Sequence, residues 1–166
     1  MNRLMRQTGI VFAIICFALD VQVFLFCETV GTVMPYAHLA LGSRDVQATA
    51  AFLCNAMGWK PIPAPSNVPR EVAWIDISGR NDGSQQIHVI YSAEFEVSPY
   101  EREFGRHLAV FHPGQDMAAL RERLTAHGAE LMEPIRPTPF ERFFFREPVN
   151  GYVFEVIHQE AWHEEH

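Results

Sequence analysis

The chain has 166 residues, of which 48% are hydrophobic and 20% charged, a size and balance typical of one globular domain with a sizeable core. Its formal net charge is −7 and Lys60 is its only lysine, so the sequence has no basic stripe that could follow nucleic-acid phosphates. Three cysteines without a CxxC spacing indicate neither a disulfide framework nor a zinc knuckle. Nucleic-acid binding is therefore the first function class that the sequence argues against.

The first 33 residues differ in character from the rest of the chain. Two arginines precede an apolar stretch over residues 9–27, which Asp20 interrupts. This order is typical of a leader, but a central aspartate would cost on the order of 2.5–3.5 kcal/mol in a membrane. We therefore interpret residues 1–33 as an extension outside the domain: a leader, an anchor or a mis-set start. A cytoplasmic location is expected, with membrane anchoring or export as the alternative if residues 9–27 act as an anchor.

Residues 34–160 are predicted to form the domain, and residues 161–166 a solvated tail. Within the domain one succession of elements occurs twice, in residues 35–92 and in residues 105–158. Each copy has an alternating strand, a helical pattern, a glycine, a short apolar stretch, a proline-rich loop, a strand, a turn and a last strand. The repeat predicts an α+β fold in which two βαβββ modules pair into a curled mixed sheet, because one module cannot bury its sheet alone.

The two predicted helices have recognisable ends. The first runs from about Asp45, a typical N-cap residue, to Gly58, and the second from about Gln115 to Gly128. In both, a glycine follows the last helical residue, where the left-handed backbone conformation favours it. These helices are expected to cover one face of the sheet.

Four polar residues occupy matched strand positions on the other face. His38 and His107 lie in the first strands of the two modules, and His88 and Glu155 in the last strands, with separations of 69 and 67 residues. A carboxylate among apolar neighbours is costly unless it is paired or bound to a cation. Three imidazoles and one carboxylate therefore predict one site for a divalent Mn, Fe, Co, Ni or Zn ion, with positions left open for substrate.

With this repeat and these four residues the chain resembles the vicinal oxygen chelate superfamily. That superfamily includes glyoxalase I, bleomycin-resistance proteins, fosfomycin-resistance enzymes, methylmalonyl-CoA epimerase and extradiol dioxygenases. The resemblance covers residues 35–158, including the closing turn and strand over residues 150–156. It implies that each module supplies one metal ligand from its first strand and one from its last, at the four positions named above.

The resemblance implies a metal-dependent lyase or isomerase of the glyoxalase I type that acts on a small oxygenated substrate. A metal that holds two vicinal oxygens stabilises a developing enediolate, and Glu155, the only carboxylate of the set, would move the proton. His88 departs from the glyoxalase I pattern, in which Glu or Gln is commoner. Two alternatives stay open. One is an Fe(II)-dependent dioxygenase with His38, His107 and Glu155 as ligands. The other is a non-enzymatic sequestering protein of the bleomycin-resistance type.

Three residues on the predicted middle strands are candidates for substrate binding: Trp74, Arg142 and Phe144. Core packing or surface solvation would explain their pattern equally well. The expected partner is a small molecule. The sequence leaves open whether the curled sheet that holds the metal site forms within one chain or across a homodimer.

Overall fold

The structure, a computed structural model, describes residues 36–68, 71–97 and 99–165, so the predicted extension over residues 1–33 lies outside it. Tyr36–His166 form one compact unit. The first module contains β1 (His38–Ser43), α1 (Val46–Met57), β2 (Lys60–Ile62), β3 (Val72–Asp76) and β4 (Gln86–Tyr91). The second contains β5 (Leu108–His112), a 3-10 turn (Gly114–Asp116), α2 (Met117–Ala126), β6 (Glu130–Met132), β7 (Arg142–Arg146) and β8 (Val153–His158), and α3 (Gln159–Glu165) follows. None of the helices in the described ranges is both long and apolar enough to cross a membrane.

Each module forms its own four-stranded mixed sheet. The strand orders are β1-β4-β3-β2 and β5-β8-β7-β6. In both sheets the first and last strands of the module run parallel, and the other neighbours run antiparallel. β1 and β5 lie at the ends of their sheets, so one edge of each pairs with no strand in the described part of the chain. The predicted α+β fold of two βαβββ modules is confirmed, with two separate sheets within the chain.

The helix ends follow the predicted signals. The side chain of Asp45 caps α1 by accepting a hydrogen bond from the backbone N–H of Ala48 at 2.9 Å. Gly58 follows the last turn of α1 with a φ of 74°, and Gly128 follows α2 with a φ of 85°. A side chain at either position would strain the left-handed backbone, so these glycines end the helices.

Both helices lie in one core that the two sheets share. Helix α1 contacts β3, β4 and α2, and α2 contacts β6. Leu53 of α1 and Leu124 of α2 are fully buried in the same apolar cluster as Ile87 of β4, Phe143 of β7 and Val156 of β8. Each such side chain contributes about 1.5–3 kcal/mol through burial. Since side chains alternate along a strand, the residues between these positions face away from the helices.

Buried hydrogen bonds also join the two modules. The amide of Asn150 donates to the hydroxyl of Thr49 at 2.8 Å, and that hydroxyl donates to the carbonyl of Asp45 at 2.8 Å. The hydroxyl of Tyr152 donates to the carbonyl of Gly42 at 2.9 Å. Leaving a buried polar group unpaired costs about 1–3 kcal/mol, so these bonds fix the last turn of the second module against the first.

Candidate metal centre

β1 and β4 bring His38 and His88 together on the face opposite the core. The two rings are stacked, with centroids 4.1 Å apart and an interplanar angle of 14°. On its other side His88 stacks on Trp74, with centroids 4.0 Å apart and an angle of 7°. His88 is only 8% exposed, whereas His38 is exposed. Burial, and then the neighbouring His38, lower the pKa of His88.

Gln86 fixes the orientation of the buried ring. Its side-chain nitrogen donates to the carbonyl of Gly83 at 2.7 Å, so its side-chain oxygen is the atom that faces His88 Nε2 at 2.7 Å. An amide oxygen only accepts, and Nε2 of His88 therefore carries a hydrogen and donates it. In this state Nε2 of His88 is not available to a metal ion, and its other ring nitrogen, Nδ1, is the free acceptor.

The stacking also limits what the two histidines can bind together. A metal ion lies about 2.0–2.1 Å from an imidazole nitrogen, along a lone pair in the plane of the ring. The planes of two nearly parallel rings with centroids 4.1 Å apart meet far from either ring. His38 and His88 can therefore bind the same ion only if one of the rings turns.

The second module brings His107 and Glu155 together. His107 lies directly before β5 and Glu155 lies within β8, the parallel neighbour of β5. Nε2 of His107 lies 3.4 Å from Oε2 of Glu155, with side chains 26% and 11% exposed. Nδ1 of His107 lies 3.0 Å from the carbonyl of Gly105, so Nδ1 carries the hydrogen. Nε2 therefore points at a carboxylate oxygen. Two acceptor atoms this close repel each other unless a cation lies between them, and a proton or a metal ion would serve.

The His107–Glu155 pair fits a metal ion in both distance and chemistry. Two bonds of about 2.1 Å span at most about 4.2 Å, so atoms 3.4 Å apart can bind one ion together. Metal-binding histidines typically donate their second ring N–H to a carbonyl or carboxylate, as His107 does to Gly105. Imidazole and carboxylate together suit Mn, Fe, Co, Ni or Zn.

Arg142 holds the other oxygen of Glu155. Its Nη1 donates to Glu155 Oε1 at 2.7 Å, and its Nη2 donates to Glu103 Oε1 and, at 2.7 Å, to the carbonyl of Arg136. The Arg142 side chain is only 2% exposed. Glu103 also accepts hydrogen bonds from the backbone N–H groups of Ile135 and Arg136. Burial raises the pKa of Glu103, but the bonds from Arg142 and from these backbone groups outweigh it and hold that pKa at about 2.

A cavity of about 300 Å³ lies in the second half of the chain, and neither His107 nor Glu155 is among its lining residues. Phe144 lines the cavity, and its ring contacts His107 edge-on, with centroids 5.3 Å apart. Tyr100, Glu103 and Met132 are among the other lining residues. A cleft at the lower end of the size range for small-molecule sites is thus connected to the candidate ligands only through Phe144, which contacts His107, and Glu103, which contacts Arg142.

Within the described residues no three His, Cys, Asp or Glu side chains lie close enough to hold one ion. The shared core explains this, because both sheets turn their apolar faces to α1 and α2. The face that carries His38 and His88 and the face that carries His107 and Glu155 are therefore both turned away from that core, and among the described residues neither pair gains a third ligand from the other. The structure forms two half-sites: His38 with His88, and His107 with Glu155.

The predicted substrate-binding residues differ in their surroundings. Trp74 and Phe144 lie on the faces that carry the candidate ligands, and Arg142 is enclosed by its three acceptors. Gln86 and Glu103 were not among the site residues predicted from the sequence. Gln86 shares a strand face with His88, and this alternation could have identified it. Glu103 lies in an irregular segment, and no periodic signal marks it.

The sequence over residues 36–156 matches the family model described as the Glyoxalase/Bleomycin resistance protein/Dioxygenase superfamily. The chain belongs to this superfamily. No curated protein sequence matches the chain significantly.

Solved structures of superfamily proteins have a similar fold. The fosfomycin resistance protein FosX from Listeria monocytogenes is 20% identical over 81% of this chain and 100% of its own, with a TM-score of 0.60. A mutant of that protein, complexed with Mn(II) and dihydroxypropylphosphonic acid, is 20% identical over 80% of this chain and 99% of its own, with a TM-score of 0.60. FosX from Mesorhizobium loti is 16% identical over 76% and 92%, with a TM-score of 0.55. At these identities the similarity shows the fold.

Proposed function

We propose that this protein is a divalent-metal-dependent enzyme that acts on a small oxygenated substrate. The observation that carries the proposal is the His107–Glu155 pair, in which Nε2 of His107 lies 3.4 Å from a carboxylate oxygen while Nδ1 faces a backbone carbonyl. Membership of a superfamily that includes metal-dependent enzymes supports it, and so does the Mn(II) complex of the FosX mutant. The more specific proposal is a lyase or isomerase of the glyoxalase I type.

We propose His38 as the third ligand. It is the exposed ring of its pair, whereas His88 is held between Trp74 and His38 and donates from Nε2 to Gln86. His88 as a fourth ligand stays a prediction, and it requires one ring to leave the stack.

Because neither half-site gains a third ligand within the described residues, we propose that a second copy completes the site. His38 of one copy would join His107 and Glu155 of the other in a homodimer. The outer edges of β1 and β5, which pair with no strand of the described ranges, support this arrangement, because strand pairing between copies would extend one sheet into the next. A two-fold dimer of this kind contains two equivalent sites.

A bound divalent ion would polarise the substrate oxygens as a Lewis acid. The chain contributes the remaining functions. Glu155 is the only carboxylate of the ligand set, and its Oε2 is the oxygen on the His107 side and the candidate proton acceptor. Phe144, whose ring contacts His107 edge-on, would exclude water from one side of the site.

A complementation experiment tests the shared site. His38→Ala and His107→Ala should each bind little Mn²⁺ when purified alone. After the two variants are co-expressed or refolded together, half of the dimers should be mixed, and each mixed dimer regains one intact site. Binding should therefore recover to about a quarter of the wild-type amount per chain. No recovery, with metal binding normal in the wild type, would mean that the site forms within one chain.

Activity assays separate the lyase from a second candidate, an Fe(II)-dependent dioxygenase. The observation that favours the dioxygenase is the set of two histidines and one carboxylate that remains when His88 stays in its stack. A lyase should turn over 2-oxoaldehyde–thiol adducts or acyl-CoA epimers without O₂, and Glu155→Gln should nearly abolish that turnover. Oxygen uptake coupled to loss of a catechol would reject the lyase. Ligand binding without turnover would favour a sequestering protein.

A further inference from the structure

We propose that Arg142 is a positioning residue that determines which oxygen of Glu155 faces the metal. Held by Glu103, Arg142 occupies Oε1 of Glu155, so that only Oε2 is presented to His107 and to the ion. The inference rests on the proposed metal site and extends it to a second layer of residues. It also gives Arg142 a role other than the substrate binding that the sequence suggested.

The register of the sheet makes this contact. Phe144 of β7 lies opposite Glu155 of β8, and Arg142 lies two residues before Phe144 on the same face. The guanidinium reaches Glu155 diagonally, with 2.7 Å between Nη1 and Oε1. The other carboxylate oxygen, Oε2, faces His107 Nε2 at 3.4 Å. Each oxygen thus has its own partner, and the carboxylate cannot turn without breaking the bond to Arg142.

Most of the hydrogen-bonding capacity of Arg142 is used within the protein, because three of the four N–H groups on its terminal nitrogens have protein acceptors. Nη1 and Nη2 already donate to three acceptors, which belong to Glu155, Glu103 and Arg136. The third guanidinium nitrogen, Nε, is buried and has no hydrogen-bond partner among the described residues. The charge of Arg142 therefore acts on the two carboxylates that enclose it.

Stability alone gives little reason for this arrangement. Replacing a buried ion pair with apolar residues of similar volume is often neutral or stabilising, because burying charge has a large desolvation cost. Here that cost includes the Nε–H group of Arg142, which is buried and has no partner within the part of the chain that the structure describes. Orientation of Glu155 accounts for the charged residues, since an arginine fork can fix one oxygen and an apolar side chain cannot.

Glu103 connects this positioning to the segment between the modules. It lies 39 residues from Arg142 along the chain, and its second oxygen accepts hydrogen bonds from the backbone of Ile135 and Arg136. Glu103 thereby joins the intermodule segment (residues 99–104) to two parts of the second module, the loop before β7 and β7 itself. Correct seating of the intermodule segment is thus a condition for the correct orientation of Glu155.

The test uses Co²⁺ as a spectroscopic probe in the full chain. Arg142→Met should weaken Co²⁺ binding about 10–100-fold, as loss of an outer-shell partner does, and should change the visible absorption of the bound ion. Glu103→Gln should act in the same direction with a smaller effect. Arg142→Lys should give an intermediate result, because one ammonium group cannot bridge both carboxylates. Arg121→Met is the matched control, since Arg121 pairs with Glu133 and does not contact Glu155.

The outcomes separate the two proposals. Suppose that His107→Ala loses Co²⁺ binding, as the proposed metal site requires. If Arg142→Met then keeps the wild-type Co²⁺ affinity and spectrum, the positioning role of Arg142 is overturned. If His107→Ala binds Co²⁺ as the wild type does, the proposed metal site itself is wrong. A structural role alone would lower the urea midpoint of the apoprotein and leave the Co²⁺ spectrum unchanged. Should Arg142→Met fail to fold, Arg142→Lys and Glu103→Gln decide, and wild-type Co²⁺ binding in both would overturn the inference.

Discussion

The substitution His88→Phe separates the stacking of this residue from its capacity to bind metal. Phenylalanine keeps an aromatic ring between Trp74 and His38, where the centroid distances are 4.0 and 4.1 Å, but it has no nitrogen. The substitution removes the hydrogen bond to Gln86 at 2.7 Å, which is worth about 0.5–1.5 kcal/mol of folding free energy. The variant should therefore fold, with a modest loss of stability.

The expected change in metal affinity follows from the ring planes. If His38 alone of this pair binds the ion, His88→Phe should change the dissociation constant of Mn²⁺ less than about threefold, or about 0.6 kcal/mol. His38→Phe removes a ligand, and its effect should exceed the 10–100-fold loss typical of outer-shell changes. At 100-fold, this loss corresponds to about 2.7 kcal/mol.

Competition with a chromophoric chelator measures both dissociation constants on the same scale. His127→Ala serves as the control, since His127 is exposed next to the end of α2 and far in sequence from every candidate ligand. Equal losses in His88→Phe and His38→Phe would refute the reasoning from the stack. His88 would then be a fourth ligand, and its ring would turn when the metal binds.

Three further predictions concern stability. Leu53→Ala should lower the free energy of unfolding by about 2–5 kcal/mol in a single urea transition, because Leu53 is fully buried in the core that both sheets share; two transitions would show independent modules. A divalent ion at about 100 times its dissociation constant should raise the free energy of unfolding of the wild type by about 2.7 kcal/mol, and a chelator should remove this gain. In His107→Ala neither the ion nor the chelator should change the free energy of unfolding. Since the pKa of Glu103 is lowered from 4.5 to about 2, its stabilisation is complete above pH 4.5 and is lost as the pH falls towards 2. The stability difference between wild type and Glu103→Gln should therefore shrink over that range, and a constant difference would contradict it.

Local signals accounted for much of the fold. Alternation along the strands placed His107 and Glu155 on the face opposite the core, and the repeat predicted that the first and last strands of each module would be equivalent. Gly58 and Gly128 end the helices for the conformational reason that the sequence suggested. These features depend on residues that are neighbours along the chain or on the periodicity of the sequence, and a single sequence is enough to read either.

The remaining features depend on long-range placement. Alternation assigns the two faces of a strand but does not determine how two sheets are oriented, so the separation of the half-sites could not be predicted. The state of Arg142 depends on Glu103, which lies in an irregular segment and has no periodic signature. The repeat placed His88 at a position equivalent to that of Glu155, which predicted a metal ligand. The stacking of its ring between Trp74 and His38 became apparent only from the structure.

If a second copy completes each half-site, as proposed, each chain has two binding surfaces, one for each half-site. Two copies related by a two-fold axis use both binding surfaces of each chain and form a closed dimer, whereas head-to-tail contacts would continue from copy to copy as a filament. In the proposed shared site, metal binding and association are linked, so each must strengthen the other by the same factor. The apparent affinity for the ion should thus rise with protein concentration, and dilution should release metal as the pairs separate.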